Sequence, residues 1–179
     1  TTGEIADELN ISKDTTQWLI VQMSQKTNNK QKQRPDDFAI NWRTIGSSST
    51  RMQYISAALA SLIEEEIDTV VGITVSGVPF ATVMADYMDA ELAVFHPIKH
   101  MKNESSQGAM SNNFANIKNK NVVIVDDVIT SGKTITDAIN VCKTHGAKPV
   151  AVTVLVDKKG LNDLNNVPIK SLIKINKVG

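Results

Sequence analysis

The sequence predicts an α/β domain, a parallel sheet flanked by helices, preceded by a small helical segment. Short apolar runs alternate with helix-period segments from residue 49 onward, which implies right-handed crossovers between parallel strands. One of these runs, "VVIV" at 122–125, has no polar member and suits a strand covered on both faces. The 179 residues, 41% of them hydrophobic, suffice for one full domain and a small appendage.

Residues 1–25 form the first segment, 26–37 a linker and 38–179 the main domain. In "TTGEIADELNISKDTTQWLI", Ile5, Ala6 and Leu9 share a helical face, the pattern breaks at Asn10, and it restarts after Ser12 as N-cap with Trp18 and Leu19 apolar. This is a helix, short turn, helix pattern. "QKTNNKQKQRPDD" holds Lys26, Lys30, Lys32 and Arg34 without an apolar anchor and reads as a linker or exposed loop. "STRMQYISAALASLIEEEI" has helical spacing with Ser49 or Thr50 as N-cap. A strand "TVVGITV", a helix beginning near Pro79, a strand "ELAVFHPI" and a long polar stretch at 99–113 follow. The strand at 122–125, a helix at 133–145 and the strand "PVAVTVLVD" complete the core.

Lysine plus arginine equals aspartate plus glutamate at 19 each, so no overall field draws the chain to nucleic acid or membrane. The single cysteine, Cys142, excludes a disulfide framework within the chain and reads as a buried, inert thiol. With no membrane-length apolar run and no signal peptide, the expected location is the cytoplasm. The chain begins at Thr1 without methionine, and further residues are expected upstream.

The chemistry concentrates in "VVIVDDVITSGKT", 122–134. A P-loop would need glycine at Asp127, so that reading fails. What remains is a strand ending at two carboxylates, then a hydroxyl- and glycine-containing turn that opens a helix. The free N–H groups and dipole of a helix start favour a phosphate. Carboxylates would repel that phosphate, so their partners are sugar hydroxyls, and the pattern asks for a ribose 5-phosphate.

The same residues resemble the phosphoribosyl pyrophosphate (PRPP) signature of the type I phosphoribosyltransferases. The resemblance implies that Asp126 and Asp127 hold the ribose 2- and 3-hydroxyls, while Thr130, Ser131, Gly132, Lys133 and Thr134 hold the 5-phosphate. Mg²⁺ would come with the PRPP pyrophosphate, with no direct protein ligand to metal. "GITVSGVPFA", 72–81, is similar to the family's pyrophosphate loop, where Ser76, Gly77 and Val78 would offer backbone N–H groups and Pro79 suits a first helical turn. "VAVTVLVDKKGLNDLNNVPIKSLIKI" resembles the last core strand and closing hood of the orotate phosphoribosyltransferase branch, with Asp157 and Lys158 at an acidic-basic step.

Chemistry on PRPP needs positive charge and a proton donor over the departing pyrophosphate, with water excluded. In the orotate enzymes a loop supplies them. Here the matching stretch, "HPIKHMKNESSQGAMSNNFA", offers Lys99, His100 and Lys102 as catalytic candidates, without arginine and with "SSQGAMSNN" in place of the acidic-glycine pattern. This departure bears on catalysis and not on PRPP binding. His96, before Pro97, reads as structural, and His145 as a helix C-terminal residue.

The first segment resembles the helix-turn-helix of transcription regulators, with Ser12 opening a recognition helix whose Lys13, Asp14, Thr15, Thr16 and Gln17 are available to double-stranded DNA. The other reading is an αα-hairpin, since residues 1–24 set Lys13 alone against Glu4, Asp7, Glu8 and Asp14. The whole arrangement is similar to the archaeal PyrE-like regulator family known as GfcR. That resemblance implies a dimeric DNA-binding regulator that senses PRPP or a related phosphoribosyl metabolite, away from membranes. The alternative is an orotate-type phosphoribosyltransferase, a glycosyltransferase making nucleotide and pyrophosphate from PRPP and a base.

Overall fold

The computed structural model describes residues 1–24, 37–98 and 107–176. It divides into two compact units, Thr1–Thr44 and Ile45–Gly179.

In the first unit, α1 (Thr2–Glu8) starts from a capping box in which Thr1 and Glu4 satisfy each other's backbone N–H groups. Asn10, at a left-handed φ of 51°, turns the chain. α2 (Lys13–Ser24) begins where Ser12 Oγ accepts the Thr15 N–H at 3.1 Å. The segment after the linker returns to this pair. Asp37 Oδ2 accepts the Ser12 N–H at 2.6 Å and the Thr15 hydroxyl at 2.9 Å, and Asn10 Nδ2 donates to the Ile40 carbonyl at 3.0 Å. The shared apolar face expected for α1 is narrower than its spacing suggests. Ala6 and Ile11 are buried, whereas Ile5 and Leu9 remain 43% and 47% exposed, because a helix of about two turns turns only one position fully inward.

The short α3 (Arg43–Gly46) spans the boundary at which the second unit begins. Helix α4 (Ser49–Ala60) is capped by Ser48, whose Oγ accepts the Arg51 N–H at 3.4 Å, one residue before the earlier of the two expected caps. Then come β1 (Thr69–Ile73), α5 (Gly77–Tyr87), β2 (Glu91–His96), β3 (Ala109–Met110), β4 (Asn121–Ile129), α6 (Lys133–Thr144), β5 (Lys148–Asp157), β6 (Asp163–Leu164) and β7 (Val167–Lys174). The sheet order is β3-β2-β1-β4-β5-β7-β6. The five strands β2, β1, β4, β5 and β7 run parallel, and β3 and β6 pair antiparallel at the edges.

Both faces of the central strands are covered. Val71, Ile73, Ile124, Val152 and Val154 pack with Ile135, Ile139 and Cys142 of α6. On the other face Gly72 lets α5 lie against β1, since a Cβ there would meet Ala81 Cβ at 2.8 Å and Val78 Cα at 2.9 Å. Two strand expectations are corrected. β4 does not stop at Val125; Asp126, Val128 and Ile129 keep pairing with Val154, Val156 and Asp157, so the long neighbouring strand carries the ladder past the carboxylates. The polar stretch at 99–113 contains β3, held by antiparallel pairing of Met110 and Ala109 with Phe95 and His96. The expected hood segment runs as β7 beside β5, and its first residues form a hairpin with β6.

Among the described residues no helix is long and apolar enough to cross a membrane. Cys142 is fully buried, and desolvation pushes its thiol up to about 12. At pH 8 only about one thiol in ten thousand would then be thiolate, so the native protein should resist a thiol reagent and react once in denaturant. Labelling of the native protein within minutes would contradict that burial.

Candidate functional site

The parallel sheet reverses its winding direction between β1 and β4. The chain leaves β1 toward β2 on one side, while β4 lies against β1 on the other. A crevice beyond the strand C-termini at such a point is where open α/β sheets bind ligands. The two segments singled out by sequence, Ser76–Val78 after β1 and Thr130–Thr134 after β4, flank this crevice.

Close approach of the two strand ends is built into Gly77. A Cβ there would fall 2.3 Å from the Val125 carbonyl oxygen and 3.0 Å from Asp126 Cα, so the loop after β1 rests directly on the backbone that carries the carboxylates. Helix α5 begins at Gly77, with Ser76 as N-cap making no side-chain cap bond, and Pro79 is its third residue rather than its first. That shift leaves the geometry intact, because none of the first N–H groups of a helix has an intrahelical acceptor. The peptide Thr74–Val75 is cis. Thr74 N–H donates to the Phe95 carbonyl at 2.9 Å, and its hydroxyl lies 3.3 Å from His96 Nδ1. His96 thus ties the end of β2 to this loop, a link the sequence did not announce.

On the β4 side, Asp127 is buried at 7% exposure and Asp126 is half-buried. Asp126 Oδ1 accepts the Asp127 N–H at 2.9 Å. Gly132 caps α6 at φ 80°, a left-handed turn that suits glycine, and itself offers no side-chain cap bond. Ser131 Oγ reaches only the Lys133 N–H, at 3.4 Å. Ser131 and Lys133 are exposed, and Thr130 and Thr134 half-buried. The turn can therefore offer backbone donors, hydroxyls and one ammonium to an anion, while the carboxylates stand one strand segment behind it.

The β5 end closes this arrangement through a carboxylate. Asp157 is fully buried, and its Oδ1 accepts the N–H groups of Lys159 at 2.8 Å and Gly160 at 3.1 Å, its Oδ2 that of Leu161 at 2.6 Å. At the expected acidic-basic step, both oxygens of Asp157 are taken by its own loop. That loop delivers Leu161 and Leu164 to Gly132, whose added Cβ would sit 3.6 and 3.2 Å from them. Lys158 N–H donates to the Ile129 carbonyl at 3.1 Å. A second anchor missed by sequence is Asp137 on α6, whose Oδ2 accepts the Gly108 N–H at 3.0 Å.

Lys99, His100 and Lys102 lie outside the described residues. His145 is the C-cap of α6, with Nδ1 2.9 Å from the Val141 carbonyl, as a helix-end residue should be. In the first unit Lys13 and Gln17 are exposed. Thr16 is removed from the DNA-facing set, because it is fully buried with its hydroxyl donating to the Ser12 carbonyl at 3.1 Å. Ser12 and Thr15 bond to each other at 2.8 Å and to Asp37. A separate cavity of about 490 Å³ at the opposite end of the sheet is lined by Ala57, Ile63, Glu65, Glu66, Tyr87 and Met88. Its glutamates oppose an anion, and Glu65 is paired with Lys170, so the crevice and not this cavity fits a phosphate ester.

Residues 41–179 match the phosphoribosyl transferase domain family. A protein of Methanosphaera stadtmanae named Transcriptional regulator GfcR is 77% identical over 181 residues, covering 100% of this chain and 91% of that one. The protein of the same name from Methanobrevibacter smithii is 50% identical, with 99% and 92% covered. Among solved structures, orotate phosphoribosyltransferase from Aeropyrum pernix superposes with a TM-score of 0.66 at 22% identity, covering 80% of this chain and 81% of that one. Adenine phosphoribosyltransferase from Thermoanaerobacter pseudethanolicus does so at 0.65 and 17%, covering 88% and 99%. At such identities the likeness carries the fold alone.

Proposed function

Because the chain belongs to the GfcR family of transcriptional regulators, and residues 41–179 to the phosphoribosyl transferase domain family, we propose that it is a DNA-binding regulator sensing PRPP or a related phosphoribosyl metabolite. The observation that carries this reading is the crevice between β1 and β4, where Gly77 seats one loop on the strand bearing Asp126 and Asp127 while Gly132 opens α6 toward the same space. Asp126 and Asp127 accept hydrogen bonds from the ribose diol. Thr130 to Thr134 surround the 5-phosphate with hydroxyls and helix N–H groups, and Ser76, Gly77 and Val78 turn backbone donors to the pyrophosphate. Among the described residues no group of three or more His, Cys, Asp or Glu side chains is placed to hold a metal. Mg²⁺ would be carried on the pyrophosphate oxygens of PRPP, with most of its water shell kept.

The DNA contact is proposed for the first unit, through exposed Lys13 and Gln17 on α2, in a cytoplasmic homodimer matching a two-fold operator. Ligand can change DNA affinity only if it binds two arrangements of the dimer differently. Calorimetric titration with PRPP and Mg²⁺, followed by operator binding with and without saturating PRPP, tests both halves. Saturable PRPP binding that alters operator affinity is expected. Unchanged operator affinity at saturation removes the sensing half. Base-dependent pyrophosphate release on the order of one per second or faster would instead make the chain an orotate-type transferase.

A further inference from the structure

The two segments that flank the crevice are poor in positive charge. Across Ser76–Val78 and Thr130–Thr134, Lys133 is the one cationic side chain, although a phosphoribosyl pyrophosphate carries several negative charges. A titratable group stands at the end of the neighbouring strand. Ala93 and Phe95 of β2 pack into the core beneath α6, so His96, next in the alternation, turns to the α5 face of the sheet. There it is half-buried, and its Nδ1 lies 3.3 Å from Thr74 Oγ1, just ahead of the loop Ser76–Val78.

Backbone contacts hold both partners in place. Thr74 N–H donates to the Phe95 carbonyl at 2.9 Å, and His96 pairs with Ala109 of β3. A Cβ on Gly108 would fall 2.6 Å from the His96 carbonyl oxygen, so the chain entering β3 lies close against this residue. The titratable neighbours are few. β1, β3 and Thr74–Val78 carry none, α5 carries Asp86 and Tyr87 in its last turn, and β2 carries Glu91 at its other end. Asp126 and Asp127 stand across β1 on β4, and Asp137 of α6 accepts the Gly108 N–H at 3.0 Å. Lys99, His100, Lys102 and Glu104, which follow in the chain, lie outside the described residues.

Imidazole is the side chain whose charge changes between about pH 5 and 8. Neutral, His96 Nδ1 accepts from or donates to Thr74 Oγ1 according to its tautomer. Protonated, it can only donate: the bond survives, the Thr74 hydroxyl proton must point away from the ring, and a positive charge is added beside the loop. The tie to Thr74 is kept in both states, and an anion on the loop gains only in the protonated one.

We infer that His96, acting through Thr74, is a proton-dependent positioning residue for the pyrophosphate group, so that the crevice binds PRPP more tightly as pH falls through the imidazole range. The inference rests on the ligand reading above and adds its regulation by pH. A bound anion stabilises the imidazolium, so PRPP raises the titration midpoint of His96. The gain in affinity is full below the midpoint of the free protein and is lost as pH rises through that of the complex. One charge pair at about 8 Å in an effective dielectric near 40 supplies a factor of about five.

The test follows the ring by NMR. The full chain carrying ¹³C-labelled histidine gives signals from His96, His100 and His145, and that of His96 is assigned by His96→Asn and, independently of any variant, by its Overhauser contact with the Thr74 methyl group. Titration from about pH 5.5 to 8.5, with and without saturating PRPP and Mg²⁺, should show the His96 midpoint rising by about 0.7 pH unit. Calorimetry at the two ends of that range should give a ratio of unaltered to His96→Asn affinity about fivefold larger at the acid end, the ratio removing the titration of PRPP's own phosphates. PRPP binding with the midpoint unmoved, or with the same ratio at both ends, overturns this inference and leaves the ligand reading standing. No PRPP binding by the unaltered protein at either end overturns both. If His96→Asn does not fold, the midpoint in the unaltered protein decides alone.

Discussion

Replacing both carboxylates of β4, Asp126→Asn with Asp127→Asn, should weaken PRPP binding by about tenfold while the fold stays intact. Hydrogen bonds to a charged acceptor contribute about 1.5–3 kcal/mol each, against roughly half that for an amide in the same position. Two opposing effects have to be weighed. The ligand is anionic, so removing two negative charges relieves repulsion from its phosphates. At about 8 Å and an effective dielectric near 40 that relief is about 1 kcal/mol per charge pair, and salt at 0.15 M screens it further. Lost charge-assisted bonds to the diol therefore outweigh relieved repulsion. Asparagine keeps the shape at Asp127, which is 7% exposed, so thermal unfolding should shift little. Calorimetry with PRPP and Mg²⁺ gives the answer, and an affinity within threefold of the unaltered protein would put the ligand elsewhere.

The largest stability loss is expected at Asp157. Its carboxylate is fully buried and receives three backbone N–H groups, from Lys159, Gly160 and Leu161. Asp157→Ala leaves these three donors without their acceptor, a loss of about 3 kcal/mol or more. For a chain of this size that corresponds to a fall in Tm of roughly 6–12 °C. The same loop presents Leu161 to Gly132 at the start of α6, so the turn proposed to hold the 5-phosphate should loosen as well and PRPP affinity should drop about tenfold. Asp157→Asn retains one carbonyl acceptor and should fall between the two. A Tm change under 1 °C for the alanine variant, read by differential scanning calorimetry, would mean that the loop does not depend on this carboxylate.

The alternation of strands and helices, the covered strand at 122–125 and the carboxylate–turn–helix succession are local patterns, and all reappear in β1 to β5 and α4 to α6. Where local signal was ambiguous, the reading shifted by a residue or more. Ser48, Ser49 and Thr50 are equally able to cap α4, and only the chain's approach selects Ser48. Two-residue strands such as Ala109–Met110 have no periodicity to detect, since they exist through the partner they meet. Asp126 reads as a strand end because it is charged, yet its pairing with Val154 keeps it in the ladder.

From sequence alone came the parallel α/β class, the resemblance to the phosphoribosyltransferases and the proposal of diol-and-phosphate recognition at 126–134, because each rests on neighbours within one element and the turn beside it. The tertiary structure alone decided that Gly77 abuts Val125, that Asp137 holds Gly108, that Asp157 serves its own loop and that Thr16 is buried. The first two contacts join residues far apart in the chain, while the last two turn on burial and partner choice; all four depend on how the elements pack, which residue type and local spacing do not encode.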